Sequence, residues 1–153
     1  MVFFTDSWRP SSFYDRLAEN AALGLHSLVL LDIKVKEPDL AALARGRVVY
    51  EPPRYMSAAR CAAQLLAVEV DRGAAVCGPE ALAVAAARVG APDQRIAVGT
   101  LEQLARADLG PPLHSVVLVG RRTHELERDM LREWALDREV FDRVWERDYA
   151  GKR

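Results

Sequence analysis

Two short runs, His26-Ser27-Leu28-Val29-Leu30-Leu31 and His114-Ser115-Val116-Val117-Leu118-Val119, are continuous apolar segments with sharp borders. Gly24 and Asp32 bracket the first; Pro111-Pro112 and Gly120 bracket the second. Runs of this kind are strands buried on both faces of a parallel or mixed sheet, and a chain with two of them is built around that sheet. What lies between them has helical spacing. Ser57 caps a helix with Ala59, Ala62, Ala63, Leu66 and Val70 on one stripe, and Gly73 ends it. Ahead of the first run, Ser11 or Ser12 caps a helix in which Phe13, Leu17 and Ala21 stack.

The remaining segments extend the alternation. Val2-Phe3-Phe4 reads as a strand that starts without a lead-in. Asp32 to Tyr55 is polar and broken by Pro38, Pro52 and Pro53, with a short helix over 39–45; a long excursion of this sort in a compact domain is often functional. Leu82 to Arg88 is read as a strand, although alanine blurs its periodicity, and Arg95 to Val98 as another. Thr100-Leu101-Glu102-Gln103 has the form of a capping box opening a helix that ends near Gly110. Thr123 caps a helix with Leu126, Met130 and Trp134 on one face, and Val140, Phe141, Val144 and Trp145 mark a last amphipathic segment. The expected architecture is α/β, a mixed central sheet of about five strands flanked by helices.

At 153 residues with 50 % hydrophobic content, the chain can bury a core of its own. Its 21 basic and 22 acidic side chains leave no field to attract a nucleic-acid backbone. The last 33 residues carry nine charges of each sign, the pattern of a solvated helical face. No apolar stretch reaches the ~18 residues of a membrane span, and no leader pattern opens the sequence. With only Cys61 and Cys77 there is no disulfide framework, and the chain is expected in the cytoplasm.

The chemical inventory is sparse. His124-Glu125 resembles the start of a zinc-protease helix, but Arg128 stands where the second histidine belongs. Three histidines and two distant cysteines give no metal set, no Gly-x-Ser-x-Gly elbow exists, and the nine glycines never take phosphate-loop spacing. Three strand ends remain as candidate ligand positions, at Leu31, Val89 and His114, because backbone polar groups are free beyond strand ends. Residue patterns alone therefore point to a small-molecule-binding α/β domain, with an interaction-only domain as the competing reading.

Longer motifs say more. Phe3-Phe4-Thr5-Asp6-Ser7-Trp8-Arg9-Pro10, Leu30-Leu31-Asp32-Ile33-Lys34-Val35-Lys36-Glu37, Tyr50-Glu51-Pro52-Pro53-Arg54-Tyr55-Met56-Ser57, Ala87-Arg88-Val89-Gly90, Pro112-Leu113-His114-Ser115 and Arg121-Arg122-Thr123-His124-Glu125-Leu126-Glu127 occur in this order. They closely resemble the diphthine synthase family up to about Trp134. That resemblance implies the tetrapyrrole-methylase-like class, in which two α/β domains hold S-adenosyl-L-methionine between them and S-adenosyl-L-homocysteine is the product. It implies methylation of the modified histidine of translation elongation factor 2, on the amino group and, in the eukaryotic type, also on the carboxylate, by a homodimer. Only the C-terminal half of the family is matched: residues 1–134 resemble its C-terminal α/β domain, 135–153 form a charged amphipathic helix or tail, and the N-terminal domain has no counterpart.

By the same resemblance the family's cofactor-contacting positions fall on Leu31, Val89 and His114, the three strand ends already singled out. Arg54, in the family-like excursion with Asp32, Lys34 and Tyr55, is a candidate for pairing with the substrate carboxylate. No catalytic side chain and no metal ligand is assigned. A truncated or split half acting only in dimerisation or partner binding is the alternative, and a tetrapyrrole methylase of the same fold is disfavoured by the two longest motifs.

Overall fold

The computed structural model describes residues 1–151. The helices are α1 (Phe13–Ala22), α2 (Leu40–Leu43), α3 (Ala58–Arg72), α4 (Leu101–Leu104), α5 (Glu125–Glu133) and α6 (Arg138–Asp148). The strands are β1 (Ser27–Leu30), β2 (Ile33–Lys34), β3 (Arg54–Tyr55), β4 (Leu82–Ala87), β5 (Arg95–Thr100) and β6 (His114–Leu118). Four of them form the main sheet in the order β1-β6-β4-β5, and β2 pairs with β3 at the root of the excursion.

The α/β class with flanking helices stands, but the sheet has four strands and every pairing is antiparallel, where a mixed sheet of about five was expected. The connection from β4 to β5 is a short turn, too short for the crossover a parallel neighbour needs. The missing strand is Val2-Phe3-Phe4, which joins no ladder. Its backbone is held by side chains instead: Phe3 N–H donates to Asp32 (3.0 Å), Phe4 N–H to Gln64 Oε1 (3.1 Å), and the Gln64 amide donates to the Val2 carbonyl (2.8 Å).

Two cores lie on opposite faces of the sheet. On one, Ala83, Ala85 and Ala87 of β4 and Val116 of β6 meet Tyr14 and Leu17 of α1 and Cys61, Ala62 and Leu65 of α3. On the other, Leu82 and Val98 meet Phe141, Val144 and Trp145 of α6, followed by Tyr149. The second layer does not reach β1. Ser27 and Val29 are buried there while Leu28 and Leu30 are 61 % and 71 % exposed, so the first apolar run is covered on one face only.

Local signals placed most helices and misjudged some details. Ser57 caps α3 by accepting the Arg60 N–H, and Gly73 ends it with φ +65°. The buried stripe of α3 is Ala58, Cys61, Ala62, Leu65 and Val68, rotated from the expected one, and Val70 is exposed. Each stripe carries alanines with one leucine and one valine, Leu66 and Val70 on the expected face and Leu65 and Val68 on the buried one, so periodicity does not choose between them. In α1, Tyr14 joins Leu17 as the buried pair, and the Ser12 hydroxyl makes no capping bond. The capping box of Thr100 and Gln103 is present, but α4 ends at Leu104 rather than near Gly110. His124, not Thr123, caps α5, because the Thr123 hydroxyl donates to the Gly120 carbonyl.

β6 continues into a close backbone approach. Gly120 N–H donates to His26 Nδ1 (3.0 Å), and a Cβ at this position would collide with the Gly24 carbonyl and the Leu25 main chain. Only a residue without a side chain lets the chain pass there. Since neither obstacle is a flexible side chain, Gly120→Ala is expected to cost about 2–3 kcal/mol of stability, read as a lower denaturation midpoint in urea at unchanged m-value.

Candidate functional site

The antiparallel order decides which residues meet. Because β6 runs opposite to both its neighbours, its first residue lies beside the last residues of β1 and β4. His114 pairs with Ala87, two positions before Val89, and Leu31 follows Leu30, which pairs with Ser115. Leu31, Val89 and His114 therefore gather at one end of three adjacent strands, although 83 positions separate the outermost two. Leu31 is half-buried against the core, whereas Val89 is 69 % exposed.

The His114 ring is fully engaged. Nδ1 accepts the Ala58 N–H at the start of α3 (3.1 Å), and Nε2 lies 3.0 Å from the Pro111 carbonyl and 3.1 Å from that of Gly110. The ring accepts at Nδ1 and donates at Nε2, so it joins β6, the first turn of α3 and the preceding loop. His26 and His124 also accept a backbone N–H at Nδ1, from Gly120 and Leu126. All three imidazoles of the chain thus serve the backbone.

Sequence reasoning passed over Arg88, the residue that shapes this end. Its side chain is 12 % exposed and reaches across to the loop before β6. It donates to the Leu109 carbonyl (3.0 Å) and the Pro111 carbonyl, and pairs with Asp93 at 2.7 Å. Arg88 and His114 hold the 109–111 carbonyls from two sides, which fixes the loop between Val89 and His114. The only hint was a lone arginine at the end of an alanine-rich strand; its left-handed φ of 52° was not legible.

The excursion is rooted at the same end. Asp32 accepts the Phe3 N–H through its carboxylate and the Met56 N–H through its carbonyl (2.9 Å), so both limbs start beside Leu31 and the His114–Ala58 bond. Arg54 stands on β3 opposite Lys34, 5.7 Å from the centre of the Phe3 ring, with Glu37 at 3.4 Å and Glu51 at 3.2 Å. Lys34 contacts Glu37 at 2.9 Å, and this bond with the nearby Asp32 carboxylate raises its pKa.

Neither cysteine offers a nucleophile. Both are fully buried; burial pushes the Cys61 thiol up to about 12, and burial with the neighbouring Glu69 carboxylate pushes Cys77 higher still. Among the described residues no cluster of His, Cys, Asp or Glu is disposed to hold a metal. A cleft of about 800 Å³ opens at the opposite end of the strands, beside Leu82, Leu118 and Tyr149, and does not include Leu31, Val89, His114 or Arg54.

In fold, the chain is similar to about half of the solved diphthine synthases. A crystal structure from Entamoeba histolytica described as a diphthine synthase superposes with a TM-score of 0.78 at 35 % identity, covering 90 % of this chain and 49 % of that one. A second diphthine synthase structure, at 23 % identity and TM-score 0.65, has the same fold.

By sequence, the chain is a homologue of the diphthine methyl ester synthases. It is 58 % identical over 151 residues to that of Aspergillus fumigatus, 60 % over 144 to that of Schizosaccharomyces pombe and 55 % over 141 to that of Saccharomyces cerevisiae. These alignments cover 99 %, 94 % and 92 % of the chain but 53 %, 51 % and 47 % of the relatives, so it spans about half their length. No family model matches it.

The His114 ring is expected to be structural. His114→Ala leaves the Ala58 N–H without its acceptor and should lower unfolding stability by about 1–2 kcal/mol in thermal denaturation. Full stability in this variant would mean that the ring is free for a ligand.

Proposed function

We propose that the chain forms one wall of an S-adenosyl-L-methionine site in a methyltransferase of diphthamide biosynthesis. The substrate would be the modified histidine of elongation factor 2, methylated on its amino group and, in the eukaryotic type, on its carboxylate. The observation that carries this reading is the 55–60 % identity to diphthine methyl ester synthases along nearly the whole chain. The division into a C-terminal α/β domain over 1–134 and a charged amphipathic helix or tail over 135–153 belongs to the same proposal.

The residues present fit one side of such a site. Leu31 and Val89 offer apolar side chains, and with the His114 ring engaged, that residue has main-chain groups to give. A flat adenosyl group suits walls of this kind. When bound, S-adenosyl-L-methionine supplies a methyl group on a sulfonium centre, already activated toward an amine or carboxylate. The chain contributes position: Arg88 and His114 fix the loop that separates the candidate contacts, and no side chain is assigned covalent or acid–base work. Arg54 would receive the substrate carboxylate, which can displace the exposed Glu51 or Glu37 without changing the local charge.

A cytoplasmic setting is part of the same proposal; among the described residues no helix is long and apolar enough to cross a membrane. A homodimer is proposed as well, supported by the stripe of α5 that leaves Leu126 75 %, Met130 61 % and Trp134 43 % exposed. The open cofactor end favours a second reading, in which the isolated chain binds partners without turnover.

Calorimetry with S-adenosyl-L-homocysteine separates the two. The chain alone should give no saturable binding, and the chain joined to the remaining half of the Aspergillus fumigatus relative should bind and methylate elongation factor 2. A joined protein that binds no cofactor would sink the methyltransferase reading. In that joined enzyme Arg54→Ala should raise KM for elongation factor 2 several-fold with kcat little changed; an unaltered KM removes Arg54 from the site.

A further inference from the structure

The excursion from Ile33 to Tyr55 has almost no interior. Of its 23 residues only Ala42 is buried, while Val35, Leu40, Leu43, Val48, Val49 and Tyr50 are between 46 % and 74 % exposed. So much apolar surface on one arm marks a place where another molecule sits. The arm is nevertheless built. Asp39 caps α2 by accepting the Ala41 and Ala42 N–H groups, and the Asp39 N–H donates to Val49 and the Glu51 N–H to Glu37, closing its two limbs into a loop.

Its charges are sorted. Every acidic side chain on the arm is engaged within it: Asp39 in the cap, Glu37 with Lys34 and Arg54, Glu51 with Arg54. Of the five basic side chains, Lys34 and Arg54 at the root are paired, whereas Lys36, Arg45 and Arg47 have no ion-pair or hydrogen-bond partner among the described residues. The arm therefore carries a net +2 on a chain whose total is −1. In sequence, Lys36 precedes the exposed Leu40 and Leu43, and Arg45 and Arg47 lie between Leu43 and the exposed Val48.

We propose that this arm is the docking element for the protein substrate, and that it grips an acidic surface patch with apolar residues at its centre. The proposal rests on the methyltransferase reading for the identity of the substrate and adds where and how that substrate is held. Position supports it. Both limbs start beside Leu31 and the His114–Ala58 bond, so a protein seated on the arm is carried to the same end of the sheet as the candidate cofactor contacts. Like charge interspersed with exposed apolar side chains gives orientation and a fast encounter, while buried contacts give lifetime.

The test is binding of purified elongation factor 2, carrying the unmethylated substrate side chain, to the immobilised chain at about 0.05 and 0.2 M salt. Lys36→Glu/Arg45→Glu/Arg47→Glu should weaken binding at least tenfold at the lower salt and flatten its salt dependence. Leu40→Ser/Val48→Ser should weaken binding and keep the salt dependence. Arg121→Glu/Arg122→Glu, away from the arm, should change neither. Unaltered melting curves exclude unfolding as the cause. Three results overturn the proposal: no binding by the wild-type chain, equal binding by the triple variant, or binding abolished when the other half of the relative is joined, which would make that half the occupant. Loss of a chain dimer in the triple variant overturns it too, since a second copy then covers the arm. Methyl transfer by the joined enzyme is scored separately, so docking without turnover condemns the activity and spares the arm.

Discussion

Both ends of β6 are held by an imidazole that accepts a backbone N–H, and most of the structure is positioned through that strand. At one end the His114 ring takes the first N–H of α3; at the other Gly120, just past β6, gives its own N–H to His26. β6 has β1 on one side and β4 on the other, so fixing it fixes the register of three strands. The collision that any Cβ would cause at Gly120 makes the second anchor intolerant, while the first links the sheet to the helix that fills the larger core. The same use of imidazole recurs at α5, where His124 accepts the Leu126 N–H.

Much of this was legible in the sequence, and the failures have physical causes. The apolar runs gave β1 and β6, and the caps Ser57 and Thr100 gave the starts of α3 and α4, because each signal is local. Pairing direction was not local. Apolar runs suggest strands buried on both faces, yet here α6 stops short of β1, and only the assembled layers reveal it. The stripe of α3 was misread because alanine, leucine and valine fall on both faces, which leaves periodicity without a preference between them. His124 was overlooked as a cap because the hydroxyl one residue earlier is the commoner choice, and that hydroxyl proved to have another acceptor.

For the candidate site, the strand-end argument named Leu31, Val89 and His114, and the antiparallel order brings them to one place. What it could not supply was the division of labour. Arg88 and the His114 ring brace the loop, and the excursion is tied down at Asp32. In a chain spanning half the length of its relatives, the bracing of this end of the sheet lies within the chain, and Leu30, Val89 and Leu113 face outward there.

The loop that follows α3 shows how the fold disposes of a hazard. The N–H groups of Ala75, Val76 and Cys77 converge on the Glu69 carboxylate at 2.7–2.9 Å, and the Tyr14 hydroxyl adds a fourth donor at 2.9 Å. Burial works against the charge there, but the donors together hold the Glu69 carboxyl below its ordinary range. Converging backbone donors of this kind elsewhere form receptors for phosphate. Here the anion is tethered to the receptor, so the cup is occupied from the moment the chain folds and is closed to stray phosphate. That internal ligand keeps a free anion-binding spot from existing at the end of α3.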